Sequence, residues 1–374
     1  MTYDAIVLGV GGMGSAAVYH LARRGARVLG IEQFDIPHDR GSSHGISRII
    51  RLAYWEHPDY VPLVRRAYDL WRDLEREAGE PLLTVTGSID AGRRDSRTIE
   101  GALSACRTHG LAHELLDAGA LARRFPAYRL PDDHLALFQP DGGFLFAERC
   151  VVAHADAARA RGAQVRTGER VVQWNATAGS VHVTTDRGEY RAARLVITAG
   201  PWLAAIVPAL AGRLVVERQV VLWTRPLRPE LFAPDRFPVF YIDMPRGAFY
   251  GFPVDPVRGF KIGKYHHRHE VTDPDAVDRN CSSEDEATLR DGIAHYFPDA
   301  NGPTVSMSTC LFTNTPDEHF IIDRLPGHRD VVIAGGFSGH GFKFCSVVGE
   351  LVADLVLDDA SRRLDLFAID RAAI

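Results

Sequence analysis

The chain has 374 residues, 46% hydrophobic and 24% charged, the balance of an ordinary globular protein. At roughly 150 residues per domain, that length predicts two or three domains. A net charge of −5 with no Lys/Arg-rich tract leaves no electrostatic footprint for nucleic acid or an anionic membrane.

The N-terminus, MTYDAIVLGVGGMG, has neither the positive start nor the cleavage site of a secretory signal, so a cytoplasmic protein is expected. Residues 4–9 read as a short apolar strand. The run Gly9-Val10-Gly11-Gly12-Met13-Gly14 follows as a turn, SAAVYHLARRG as a helix, and ARVLGIE as a second strand ending at Glu32. In such a unit Gly9, Gly11 and Gly14 serve a tight turn, the approach of backbone to a pyrophosphate, and close helix–strand packing. The helix N-terminus offers N–H groups to the phosphate. Glu32, about 20 residues on, can accept hydrogen bonds from ribose hydroxyls. This order predicts dinucleotide binding.

GSSHGISRIIRLAY, residues 41–54, holds His44, Arg48 and Arg51. Read as a helix, it places all three on one face, with Ile46, Ile49, Ile50 and Ala53 opposite. A cationic stripe backed by an apolar one would face a polar ligand, near where an α/β sheet binds its ligand. A solvated basic face is the competing reading. GAQVRTGERVVQW (162–174) and EYRAARLVITAGPW (189–202) look like strands returning to the first sheet. The uncharged run over 195–212 reaches membrane-span length. Gly200-Pro201 and Pro208 interrupt it, so it reads as strand, turn and helix.

Alternating patterns such as VVLWTRPL and RGAFYGFPV, within 85–145 and 214–316, predict a mostly antiparallel second domain. Lys261 stands there in GFKIGKYHH; a lysine in an apolar strand is an unusual choice if merely structural, though a surface lysine is the alternative. VSMSTCLFTNTPDEHFIID (305–323) carries Cys310 with no second cysteine nearby, so a small buried hydrophobe competes with a chemical role. RDVVIAGGFSGHGFKF (329–344) is an apolar strand entering a second glycine-rich turn, with Gly339, Gly341 and Lys343, before the helix CSVVGELVADLVL. The nucleotide domain is therefore expected to be discontinuous, over 1–84, 146–213 and 317–374. Residues 85–145 and 214–316 form the substrate domain. The C-terminal DRAAI is not a peroxisomal signal. Five widely spaced cysteines argue against a disulfide framework, and no CxxC or paired-histidine spacing supports a metal site.

Taken in order along nearly the whole chain, GVGGMGSAAVYHLARRG, GSSHGISRIIR, FKIG, STCLFTNTPDEHFIID and GFSGHGFKF resemble the monomeric sarcosine oxidase family, which includes N-methyltryptophan oxidase. The resemblance implies an α/β flavoprotein: a discontinuous Rossmann-like FAD-binding domain plus a mostly antiparallel β-sheet substrate domain, acting as a monomer. It implies that Cys310 is joined through sulfur to the 8α-methyl of the flavin. It implies that Arg51 and Lys343 bind the substrate carboxylate, a task suited to a fork of donors and a point charge. Arg48 and His44 would lie beside the flavin, Lys261 near flavin N5 where oxygen is reduced, and Tyr250 on the substrate cavity. Ser42 and Val171 join Gly9, Gly11, Gly14, Glu32, Gly339, Gly341 and Lys343 as cofactor contacts.

One departure bears on the substrate. The sarcosine-oxidising members tend to show K-x-G-x-H, whereas this chain reads Lys261-Ile-Gly-Lys-Tyr265-His266-His267. Either a one-residue bulge restores His266 as a catalytic residue, or the pocket differs. The expected activity is oxidation of secondary amino acids, N-methyl amino acids first, to an imine, with O2 reduced to hydrogen peroxide. A cyclic imino acid or N-methyltryptophan is the alternative substrate. A nicotinamide-dependent dehydrogenase competes on the first glycine motif alone, but the second glycine run and Cys310 speak against it. A non-catalytic flavin-binding protein would leave Lys261 and the Arg51/Lys343 pair without purpose.

Overall fold

The architecture is that of a computed structural model, which describes residues 2–358, 360–361 and 363–372. The first sheet has eight strands. Its centre is parallel: Thr2–Leu8 lies between Val28–Ile31 and Glu189–Ile197, with Gln164–Arg166 beyond one neighbour and His328–Gly335 beyond the other. Residues 4–8 are almost wholly buried, because helices cover the faces of a parallel sheet and both sides of the strand must be apolar. The helix Gly12–Arg23 packs against the helix Cys345–Leu357, so both strand–glycine–helix units meet at one end of this sheet. The run over 195–212 is a strand end, a 3-10 turn at Gly200–Trp202 and a short helix at Leu203–Ile206. Among the described residues, no helix is long and apolar enough to cross a membrane.

The second sheet has nine strands and one parallel contact, between Ser88–Arg93 and Val239–Met244; the rest is antiparallel. Its longest pairing joins Val215–Thr224 to Thr304–Asn314 and sets Gln219 opposite Cys310. Beneath it lies an aromatic core in which Phe237, Phe240, Phe260 and Phe297 pack edge to face and offset, the arrangements that ring quadrupoles favour.

The 41–54 segment is not a helix. Ser47–Ile50 is a strand in a small third sheet, paired with Gly143–Phe146, which also pairs Leu83–Val85. Ile46 has φ +73°, a conformation that ends any helical run, and β-branched Ile49 and Ile50 suit a pleated strand. His44, Arg48 and Arg51 therefore reach the site from a loop and a strand.

Candidate active site

The glycine turn brings backbone to the floor of a cleft of about 570 Å³, a size ordinary for a cofactor site. At Gly14 a Cβ would stand 1.8 Å from the Gly9 carbonyl oxygen, so only glycine lets the helix start this close to the strand. Gly9, Gly11, Glu32, Ser42, Val171, Gly339 and Gly341 all line the cleft. Glu32 is fixed there: its carboxylate accepts from Val10 N at 2.8 Å and Phe34 N at 3.1 Å. Burial raises its pKa, and those N–H groups work against the rise. Gly14 stands behind the wall, as its packing role requires.

A second, smaller cavity of about 80 Å³ meets the cleft at Arg48, Phe312, Gly339 and Phe342, which line both. Its walls are largely aromatic, with Trp55, Tyr241, Tyr250, Phe252 and Tyr265. Arg51 and Lys343 both line it, and each charge lies 5.0 Å from the centroid of the Tyr54 ring. Arg51 already holds partners: Glu56 at 3.1 and 3.2 Å, the Ala53 carbonyl at 2.8 Å, and Asp90, whose Oδ1 lies 3.4 Å from its Nε. Lys343 Nζ donates to the His340 carbonyl at 2.7 Å.

The charges shift one another. Burial and then Arg51 hold the Lys343 ammonium down to about 7. Burial pushes Asp90 up to about 7 against the pull of Arg51; the residue is fully buried, and neither carboxylate oxygen has a hydrogen bond. Burial would raise Glu56, but Arg51, His340 and Lys343 bring it below the usual carboxylate range. Burial also opposes the Arg51 charge, and Asp90 and Glu56 more than restore it.

Cys310 opens onto the small cavity, with its Sγ 3.5 Å from Arg48 Nη2 and His44 lining the same cavity. Burial would raise this thiol, yet Arg48 and His44 reverse the effect and bring it to about 6. The other cysteine near the cleft, Cys345, is raised by burial and stays a thiol. A thiolate is the nucleophilic form, so the two sulfurs are not equivalent. Lys261 is buried behind the wall, and its Nζ donates to Gly45 O at 2.7 Å, Ser47 O at 2.9 Å and Ser47 Oγ at 3.3 Å. Burial and then Arg48 lower its pKa well below the usual lysine value.

His266 does not reach the cavity. Tyr265 does, its hydroxyl donating to Ser338 O at 2.7 Å. The chain enters the left-handed region at His266, φ +54°, which swings that ring away to Glu217 and Glu318. No bulge restores a histidine to the wall. Glu56 and Asp90 are site residues that sequence reasoning passed over. Asp90, in the otherwise apolar SIDAG, gives the same signal that singles out Lys261: a charge in a strand that should be buried.

The cleft suits FAD on its own features. Its floor is a strand–glycine–helix turn with Glu32 beside it, and the adjoining small cavity is lined by His44, whose buried Nε2 has no hydrogen-bond partner among the described residues. The family profile described as FAD dependent oxidoreductase (DAO) matches residues 4–355. The chain is 42% identical over 363 residues to a monomeric sarcosine oxidase of Streptomyces avermitilis, covering 95% of this chain and 94% of that one. It is 36% identical over 363 residues to an N-methyl-L-tryptophan oxidase of Salmonella dublin, covering 96% of each. Among solved structures it resembles NikD, an unusual amino acid oxidase essential for nikkomycin biosynthesis, with a TM-score of 0.85 at 28% identity and coverage of 98% and 97%.

Proposed function

The chain belongs to the FAD-dependent oxidoreductase family, and from that premise we propose that it oxidises small secondary amino acids, sarcosine and other short N-methyl amino acids foremost. The reaction takes the C–N bond to an imine, with O2 as the final acceptor and hydrogen peroxide as product. One observation carries this reading: Arg51 and Lys343 share a small aromatic cavity that opens directly onto the cofactor cleft.

When bound, FAD supplies the two-electron redox chemistry. The chain's own residues do the rest. Arg51 and Lys343 take the substrate carboxylate, with Glu56 yielding part of its hold on Arg51. Positive charge beside the substrate lowers its amine pKa and favours the neutral form that can be oxidised. The aromatic walls exclude water, which strengthens each of these interactions. Cys310 is the residue we assign to covalent attachment, supported by its thiolate character. We assign Lys261 to oxygen reduction, supported by its place behind Arg48 in a dry site. Tyr250 shapes the cavity, and the enzyme works as a single chain.

A cavity of about 80 Å³ favours sarcosine or a compact cyclic imino acid over N-methyltryptophan, whose indole would need the Trp55–Tyr241 wall to move. A panel of sarcosine, N-methylalanine, proline, pipecolate and N-methyltryptophan, scored by peroxide release, tests this. Highest kcat/KM for N-methyltryptophan would refute the size argument. No peroxide from any of them would refute the substrate class.

A further inference from the structure

The turn after the Gly259–Lys264 strand carries more histidine than the active site uses. Tyr265 enters the substrate cavity, while His266 and His269 leave it, both with φ +54°. Their rings stack, with centroids 5.4 Å apart and planes 11° from parallel. Glu217, on the adjacent Val215–Thr224 strand, faces both. One carboxylate oxygen lies 2.8 Å from His266 Nδ1 and the other 4.0 Å from His269 Nδ1.

We infer that Glu217, His266 and His269 form a binding site for a divalent transition metal ion of the zinc class. Their ligand atoms all lie within 4.8 Å of one another. A tetrahedral ion with bonds of roughly 2.0–2.1 Å needs its ligand atoms about 3.3 Å apart. His266 would open slightly from Glu217. His269, 76% exposed and with no side-chain hydrogen bond to give up among the described residues, would close on it. Two imidazole nitrogens and one carboxylate suit Zn²⁺, Co²⁺ or Ni²⁺ better than the all-oxygen ions Mg²⁺ and Ca²⁺. Three protein ligands leave a fourth position for water.

The surroundings support a cation independently. His266 Nε2 lies 3.0 Å from Glu318 Oε1, which holds the proton on Nε2 while the ion takes the place of the proton that Nδ1 shares with Glu217. A carboxylate behind a histidine is the usual outer support of a metal ligand, fixing its tautomer and ring. Gln219 Nε2 donates at 3.3 Å to Glu217 Oε2, the same oxygen that faces His266, and helps to orient the carboxylate. An ion here would tie the 215–224 strand to the turn that holds Tyr265 on the cavity wall. The sequence gives no such signal, because Glu217 lies far along the chain from the two histidines.

The test is a calorimetric titration of tag-free, flavin-loaded enzyme with ZnCl2, paired with anomalous diffraction at the zinc edge from soaked crystals. The expected result is one tight site per chain, with its anomalous peak between Glu217, His266 and His269. His269→Ala, at an exposed position, should abolish that site while flavin content and turnover stay unchanged. Glu318→Gln should weaken it by roughly 10–100-fold, the usual loss when an outer support is removed. Absence of tight binding to the wild type, equal binding by His269→Ala, or a peak at another location would each overturn the inference.

Discussion

Arg51→Ala is the most direct test of the carboxylate clamp, and its magnitude follows from the contacts. Two unit charges 3.1 Å apart, the Arg51–Glu56 separation, attract by about 5 kcal/mol at an effective dielectric of about 20. A substrate carboxylate must compete for that guanidinium, so only part of such an energy appears as affinity. Truncating one member of a buried, hydrogen-bonded charge pair costs on the order of 2–5 kcal/mol. The expected loss in kcat/KM is therefore roughly 30-fold to a few thousand-fold. The same substitution strands Glu56 and Asp90 without their cation, and stability should fall by about 3–5 kcal/mol. Flavin content and a melting curve must accompany the kinetics. Glu56→Gln separates binding from stability, because it frees the guanidinium and should tighten an amine-free carboxylate inhibitor such as methoxyacetate by roughly tenfold, about 1.4 kcal/mol. The assay is anaerobic bleaching of the flavin by sarcosine, with inhibitor affinity read from the flavin spectrum. Unchanged kcat/KM in a folded, flavin-bound Arg51→Ala protein would refute the clamp, and so would a weaker inhibitor complex in Glu56→Gln.

Lys261→Met should slow reoxidation of the reduced enzyme by roughly 100-fold or more, about 2.7 kcal/mol, and slow flavin reduction far less. Wild-type reoxidation in stopped flow would leave Lys261 as an anchor for Gly45 and Ser47. Acid-precipitated wild type should keep its yellow colour, Cys310→Ser should lose it, and Cys345→Ser should retain it; the reverse pattern would move the tether to Cys345. Methoxyacetate binding should weaken as pH rises through about 7. Lys343 then loses its charge, which removes an attraction for a carboxylate, while Asp90 gains one, which adds a repulsion. Lys343→Met should remove part of that dependence, and the double variant with Asp90→Asn should flatten it. A level wild-type profile from pH 6 to 8.5 would contradict both assignments.

Much of this was legible in the chain because the signals were local. The Gly9–Gly14 turn, Glu32 and the helix over 345–357 each announce themselves within about 20 residues, and the structure puts them around one cleft. The 41–54 segment misled for the opposite reason. What decides its form is Gly143–Phe146, far along the chain, and that partner turns a pattern compatible with a helix into a strand. The choice between Tyr265 and His266 was equally invisible, because it depends on a single positive φ at His266.

The acids carry the larger lesson. Counting cations alone makes the cavity strongly positive, enough to strip the proton from a substrate amine. Glu56 and Asp90 change that sum. Arg51 and Glu56 nearly cancel, and Lys343 and Asp90 both titrate near 7, in opposite senses. Below that pH these four groups sum to one positive charge, to which Arg48 on the same wall adds, and under the proposed function that charge accepts a carboxylate and disfavours an ammonium beside it. Above it, the ionised Asp90 and neutral Lys343 bring these four groups to one net negative charge, which Arg48 on the same wall offsets. On the proposed clamp, selection of the reactive amine shifts with which of these two buried groups holds its proton, since Arg51 is largely offset by Glu56.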